Sequence, residues 1–159
     1  MTSIGWCLSQ KRGIQLVDSN ENLAEAYIKK SEEALIAMSE VSNITWKISA
    51  AYYAIYFSLY AILQRIGIKS EIHTCTILFA QTYLSDFYND KDLKFLQAAF
   101  NQRIESQYYT TSLLNQESKE KIIKEIPYFI AKSKSILSEI SYKNITAIRK
   151  EIIELIKSK

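Results

Sequence analysis

The side chains able to move a proton or bind a phosphate are few in this chain. His73 is the only histidine among 159 residues, and imidazole is the side chain that titrates near neutral pH. A guanidinium group suits phosphate oxygens, and a tyrosine ring can stack on a nucleobase. Arg103, Tyr108, Tyr109, Arg65 and His73 are side chains of these three types and are the candidate ligand-binding residues. Their choice among the arginines and tyrosines of the chain rests on a family resemblance given below.

Each candidate also has a purely structural interpretation. His73 can begin a helix and bond the local backbone. Arg103 can form a buried ion pair with Glu105 or another acid, and the adjacent Tyr108 and Tyr109 can serve packing alone. The sequence leaves both interpretations open for each residue.

Metal and cofactor sites are not indicated. One histidine and two separated cysteines, Cys7 and Cys75, do not supply the clustered ligands of a transition-metal site. A glycine-rich phosphate loop is missing from a chain with only three glycines. The neighbouring carboxylates Glu32 and Glu33 fall on a helix face predicted to be solvated. We therefore expect no cofactor and no metal.

The N-terminal segment and the cysteines favour a cytoplasmic protein. Lys11 and Arg12 follow a short mixed segment instead of preceding the apolar run of a signal peptide. Cys7 and Cys75 are expected to be reduced thiols, as is usual in the cytosol. The net charge is only +3, and residues 116–159 hold the excess with ten basic and six acidic side chains. A solvated basic helix face accounts for this asymmetry.

The stretch Thr45–Ile68 is the element around which the others must pack. It carries no charge between Lys47 and Arg65, and a helix that is apolar all round is a buried helix. Its three sides are aliphatic, small and aromatic, the last formed by Tyr53, Tyr56, Phe57 and Tyr60. We predict that it ends at Gly67. The uncharged run Ile48–Gln64 is shorter than the roughly 20 residues of a membrane span.

Helical periodicity along most of the chain, with three glycines and one proline, predicts an all-α protein. We expect a single domain over residues 1–159, an antiparallel helical bundle of four to five helices with an extra C-terminal amphipathic helix at 142–159. The predicted helices are 21–41, 45–68, one that follows the connection holding His73 and ends near 87, 89–107, 115–140 with a kink or split at Pro127, and 144–159.

Four segments occur in an unusual combination. They are, in chain order, Ala50–Tyr56, Leu63, Gly67–His73 and Arg103–Tyr109. The succession resembles the HEPN (higher eukaryotes and prokaryotes nucleotide-binding) family, in particular an archaeal and bacterial branch, over roughly residues 10–141. The resemblance implies a bundle of four to five helices, usually a homodimer. It also implies a gene often found beside a minimal nucleotidyltransferase, as a toxin–antitoxin pair.

Many HEPN proteins are metal-independent ribonucleases with an arginine, four to six intervening residues, and a histidine. Arg103 matches the arginine, but Tyr108 stands where the histidine belongs, and His73 lies outside the spacing. A tyrosine with a pKa of about 10 is a poor base at neutral pH, and losing a general base costs on the order of 10² to 10⁴ in rate. The motif is therefore degenerate, and the candidate catalytic residues are Arg103, Tyr108 and His73.

We predict a non-catalytic HEPN-like binding module. Its cleft near Arg103, Tyr108 and Tyr109 would contact a nucleotide, an RNA or a nucleotidyltransferase partner, and no membrane. The same surface, Arg103–Tyr109, would form the homodimer interface. One alternative is a metal-independent RNA endonuclease that works with the degenerate motif. A second is a structural interaction subunit.

Overall fold

Seven helices and one short pair of strands form the part of the chain that this computed structural model describes, residues 1–108 and 116–158. The helices are α1 (Ile4–Ser9), α2 (Glu21–Glu40), α3 (Ile44–Ile66), α4 (His73–Tyr83), α5 (Asp90–Tyr108), α6 (Gln116–Glu139) and α7 (Tyr142–Lys157). Strands β1 (Gln15–Leu16) and β2 (Ile68–Lys69) pair antiparallel. The predicted all-α class is confirmed, while the two strands were not predicted.

Helix α3 lies at the centre, and helices α2, α5 and α6 pack against it. Its small residues mark the closest approaches: Ser31 Oγ of α2 donates to the carbonyl of Ala54 at 2.5 Å, and Ser58 Oγ of α3 donates to Ser133 Oγ of α6 at 3.1 Å. The prediction that small side chains admit neighbouring helices is therefore confirmed. Neither α3 nor any other helix within the described residues has the length and apolar character needed to cross a membrane.

The C-terminal end of α3 is fixed by a glycine and by a distant arginine. Gly67 has φ 86°, the left-handed conformation that glycine adopts without strain, and a Cβ there would lie 2.5 Å from the Val17 carbonyl. Arg149 Nη1 of α7 donates to the carbonyls of Val17, Ile66 and Gly67 at 2.8, 3.1 and 2.9 Å. Helix α7 is thereby attached to the bundle at the end of its central helix.

Cys7 and Cys75 are joined in a disulfide, so the prediction of two reduced thiols is wrong. Both side chains are fully buried, and their Cα atoms lie 5.7 Å apart. Sixty-eight positions separate them in sequence, and only the packing of α1 against α4 brings them together. The bridge ties α1 to the helix that begins at His73.

Helix α6 continues through Pro127 from Gln116 to Glu139. Of the two outcomes predicted at this proline, a split is therefore excluded. The uninterrupted helix packs mainly against α3 and also contacts α2 and α5.

Candidate functional site

The strongest grouping of candidate residues lies where α3, α4 and α5 meet. We call it the His73–Arg103 cluster; it consists of Tyr52, Tyr53, Tyr56, His73 and Arg103. Helix α3 contributes the three tyrosines, α4 begins with the histidine, and α5 contributes the arginine. His73 and Arg103, which lie far apart in the sequence, are thus brought to the same aromatic surface.

Local capping holds α5 in the position that aims Arg103 at α3. The Asn89 amide donates to Asp92 Oδ2 at 2.9 Å, and the Asp92 amide donates to Asn89 Oδ1 at 3.0 Å. This reciprocal pair satisfies free donors at the start of the helix. Lys132 of α6 donates to Asp92 at 2.5 Å, so the start of α5 is also anchored to the neighbouring helix.

His73 lies flat against an aromatic ring. Its imidazole stacks on Tyr56 with centroids 4.2 Å apart and planes 7° from parallel. Its Nδ1 shares a hydrogen bond of 2.7 Å with the hydroxyl of Tyr52, so the ring bonds a side chain of α3 and not the local backbone. Burial, helped by the nearby charge of Arg103, lowers the pKa of His73 from 6.5 to about 4. The imidazole is therefore neutral at pH 7.

The tyrosines that contact His73 stay protonated. Tyr52 is fully buried, and burial raises the pKa of its hydroxyl. This hydroxyl and His73 Nδ1 share one hydrogen bond, in which the tautomer of the ring decides the donor. Burial likewise raises the pKa of Tyr56 to about 12.

Arg103 is a cation held by aromatic rings. Its guanidinium carbon lies 5.4 Å from the centroid of Tyr52 and 5.3 Å from that of Tyr53, within the range of a cation–π contact. Nη2 donates to the Tyr53 hydroxyl at 3.1 Å. No carboxylate of residues 1–108 or 116–158 pairs with it, so the alternative of an ion pair with Glu105 is not realised. The positive charge is left without a counter-ion in this part of the chain.

Two polar atoms beside the cluster are buried without a hydrogen-bond partner among the described residues, Arg103 Nε and Ser106 Oγ. Residues three apart on a helix are neighbours, so both atoms belong to one turn of α5. Buried polar groups in folded proteins are nearly always bonded. Both atoms have almost no accessible surface, so the feature that suits an anion is the partly exposed guanidinium of Arg103, which has no carboxylate partner in the described chain.

The other predicted residues lie apart from the cluster. Arg65 pairs with Glu21 at 3.0 Å and lies about 18 Å from Tyr53 along α3, at 1.5 Å per residue. Tyr108 ends α5 with 71% of its surface exposed. Tyr109 lies outside the described residues. The structure thus brings together His73 and Arg103, and leaves Arg65 elsewhere.

Sequence reasoning missed the role of Tyr52 and Tyr53. Both residues lie in the segment that resembles a known family, and Tyr53 was predicted only as part of a packing face. Their position one after the other, on a helix without charges, is the one signal that could have suggested a cation-holding surface. That signal becomes specific only when Arg103 is known to lie above the two rings.

Comparison with protein-family models finds a match to the HEPN domain. The match covers residues 22–157, a range that holds α3 to α7, nearly all of α2 and the whole His73–Arg103 cluster. It continues past residue 141, where the resemblance noticed in the sequence ended. No curated protein was found to match the chain.

Proposed function

Because the chain belongs to the HEPN family, we propose that it is a binding module whose His73–Arg103 cluster holds a phosphate of single-stranded RNA. The family is one of nucleotide-binding and ribonuclease-like modules. The observation that carries the proposal is the Arg103 guanidinium, held over Tyr52 and Tyr53 without a carboxylate partner in the described chain.

The chemistry of this cation favours a phosphate oxygen as its ligand. A guanidinium presents several N–H donors in a fixed plane and pairs with phosphate through charge-assisted hydrogen bonds. Arg103 uses Nη2 for Tyr53, its Nε is buried without a partner among the described residues, and its side chain as a whole is partly exposed. The partly exposed positive charge is the feature that a phosphodiester would satisfy.

An exposed aromatic residue favours a strand over a single phosphate. Tyr108 follows Arg103 on the same helix and is 71% exposed. Stacking of a base on an aromatic side chain contributes about 1–3 kcal/mol in single-strand binding and tolerates any sequence. The two side chains lie five residues apart and hence about 140° apart around α5, so a strand would have to pass around the helix to place a phosphate at Arg103 and a base on Tyr108.

Binding is favoured over cleavage by the state of His73. A general base works best when its pKa lies near the working pH, and the pKa of His73 is lowered to about 4. The second candidate, a metal-independent ribonuclease, rests on a different observation: His73 and Arg103 both adjoin the ring of Tyr52. This proximity supplies the histidine that the degenerate motif lacks at position 108.

RNA binding is tested by fluorescence anisotropy with a labelled single-stranded RNA hexamer. We expect Arg103→Ala to weaken binding about tenfold or more, because a hydrogen bond to a charged group contributes about 1.5–3 kcal/mol. Arg65→Ala is the matched control, since Arg65 is ion-paired elsewhere, and it should bind as the wild type does. Equal RNA affinity of the wild type and Arg103→Ala would contradict a phosphate site at Arg103.

Cleavage is tested on the same RNA by gel electrophoresis. A binding module leaves the hexamer intact, or leaves a background that is the same for wild type, Arg103→Ala and His73→Gln. Cleavage that disappears in both variants, while His73→Gln still binds, would favour the ribonuclease instead.

The assembly implied by the family stays part of the proposal. We expect a homodimer, and a minimal nucleotidyltransferase as partner in a toxin–antitoxin setting. The cysteines, which form a disulfide, do not support the predicted cytoplasmic location. The exposed Tyr108 supports an interface near the end of α5. A purely structural subunit, the third alternative, would bind no RNA in the anisotropy experiment.

A further inference from the structure

One half of the Cys7–Cys75 disulfide stands two residues after His73. Cys75 belongs to the helix that begins at His73, and Cys7 belongs to α1. The family match covers Cys75 but begins at residue 22, after α1. The bridge therefore ties a segment outside the matched range to the helix that places one member of the His73–Arg103 cluster.

The start of α4 depends on its neighbours for its position. Ile72 occupies the N-cap, and its side chain has no oxygen that could accept from the free amides of the first turn. The connection before it is bonded to the N-terminal segment: the Glu71 amide donates to the Arg12 carbonyl at 2.9 Å, and Arg12 Nε donates to Glu71 Oε2 at 2.6 Å. The N-terminal segment thus holds this connection and, through the bridge, the first turn of α4.

Helix α1 is too short to be stable by itself. It has six residues, and Cys7 is the one that is buried. Isolated helices shorter than about 12 residues are marginal in water, so α1 depends on its attachment to α4. The Arg12–Glu71 ion pair is well exposed on the Arg12 side, and pairs of that kind add little stability. The covalent bond is therefore the strongest connection between α1 and α4.

The sulfur atoms become reachable when α1 unfolds locally. Both cysteines are fully buried in the folded chain, so a reductant cannot attack the bond while α1 stays packed. Terminal elements with little buried surface open at a small fraction of the free energy of global unfolding, and α1 is such an element. The bond can therefore be cut while the helices that follow α1 remain folded.

We propose that the Cys7–Cys75 bridge is a redox switch that holds His73 in the His73–Arg103 cluster. A dithiol reductant cleaves the sulfur–sulfur bond through a mixed disulfide. Its two thiol hydrogens and two electrons pass to the sulfurs of Cys7 and Cys75, and the dithiol closes to a cyclic disulfide. Cleavage releases α1, and the first turn of α4 then moves away from the ring of Tyr56.

Release changes the chemistry of the histidine. The stack on Tyr56 and the hydrogen bond with Tyr52 keep His73 half-buried near Arg103, and its pKa is therefore lowered to about 4. An exposed imidazole has its ordinary pKa and takes up a proton near neutral pH. The position of His73 is measured without RNA, so the switch is tested separately from the proposed function.

The test follows the His73 resonances by NMR in a pH titration, with and without dithiothreitol. Reduced wild type should keep its helical circular dichroism, and the pKa of His73 should rise from about 4 towards 6.5, because exposure removes the desolvation that lowers it. Cys7→Ala leaves Cys75 in place and should show the raised pKa with and without dithiothreitol.

Arg12→Ala is the matched control, since it removes the ion pair with Glu71 and leaves the bridge. Its oxidised form should keep a His73 pKa of about 4 and respond to dithiothreitol as the wild type does. A reduced, folded wild type with an unchanged His73 pKa would overturn the proposal, as would a raised pKa in oxidised Arg12→Ala. If free thiols appear in mass spectrometry only together with loss of the helical signal, the bridge is purely structural and the proposal is wrong.

Discussion

At the residue scale, Tyr52 connects the two polar groups on which the proposed function rests. Its hydroxyl bonds His73 at 2.7 Å, and the face of its ring lies 5.4 Å from the guanidinium carbon of Arg103. The histidine is half-buried and lies near a fixed positive charge, so its neutral form is stabilised. The arginine gains an aromatic surface that leaves its charge free for an anion.

The lowered pKa of His73 predicts a specific dependence of stability on pH. The folded-state pKa is about 4 against an ordinary value of 6.5, so between these values the unfolded chain binds more protons than the folded one. The free energy of unfolding should therefore fall as the pH falls from 6.5 towards 4, and this contribution should level off below that. Urea unfolding at several pH values measures the effect.

His73→Gln is the comparison variant for that experiment, because it cannot titrate. It should lose less stability over the same interval than the wild type does. Parallel curves for the two proteins would show that His73 has an ordinary pKa in the folded state.

At the element scale, α3 is stabilised by close contact on every side. Ala54 is fully buried, and α2 approaches its carbonyl through Ser31 at 2.5 Å. The helix was predictable from sequence because a long uncharged helical stretch is stable when it is buried in the core. The helix that packs against each face was not predictable, since periodicity identifies the apolar face of a helix and not the neighbouring helix that covers it.

Ala54→Leu should overpack the contact between α2 and α3. We expect a loss of about 1–3 kcal/mol in the free energy of unfolding, measured by urea denaturation. Ala26→Leu is the matched control, because Ala26 is an exposed position of α2 and should change stability little. Two equally stable variants would contradict the close approach at Ala54.

The disulfide should stabilise the fold by tying α1 to α4. Cys7 and Cys75 enclose a long loop, and a bridge of this kind typically contributes about 2–4 kcal/mol. We expect reductant to lower the urea midpoint of the wild type. The double variant Cys7→Ala, Cys75→Ala should be less stable and insensitive to reductant. If mass spectrometry of the wild type, purified without reductant, shows two free thiols, the disulfide is contradicted.

At the scale of the whole molecule, the sequence predicted helices well and contacts poorly. The buried positions of α3, α5 and α6 recur with helical period, so their class and approximate limits could be predicted. The His73–Arg103 cluster joins residues from three helices, and the disulfide joins residues 68 positions apart. Neither grouping leaves a local pattern, because each depends on which helix faces meet.

The predicted dimer surface lies on α5 and the segment that follows it. The sequence predicts that some side chains of the set Phe95, Phe100, Tyr108, Tyr109, Leu113 and Leu114 stay exposed in a monomer. Phe95 packs on Phe129 and Phe100 packs on Tyr52 within one chain. Tyr108 is the exposed aromatic residue that remains from the predicted surface within the described part of the chain. Tyr109, Leu113 and Leu114, which belonged to that prediction, lie outside the described residues.

Tyr108→Glu should convert a homodimer to a monomer in light scattering, because it places a charge at the proposed junction between copies, beside which the RNA strand would lie. Tyr142→Glu is the matched control, since Tyr142 is 83% exposed on α7, and it should leave the particle unchanged. A wild-type chain that is monomeric at high micromolar concentration would contradict the dimer.

The most direct test of the proposed RNA site is an NMR titration of the single histidine. The free protein should show a His73 pKa of about 4. A saturating RNA hexamer should raise that value, because a phosphate at Arg103 offsets the positive charge that disfavours imidazolium. Arg103→Gln should raise the pKa of the free protein and remove the further rise with RNA. A His73 pKa that is the same with and without bound RNA would contradict a phosphate site at the cluster.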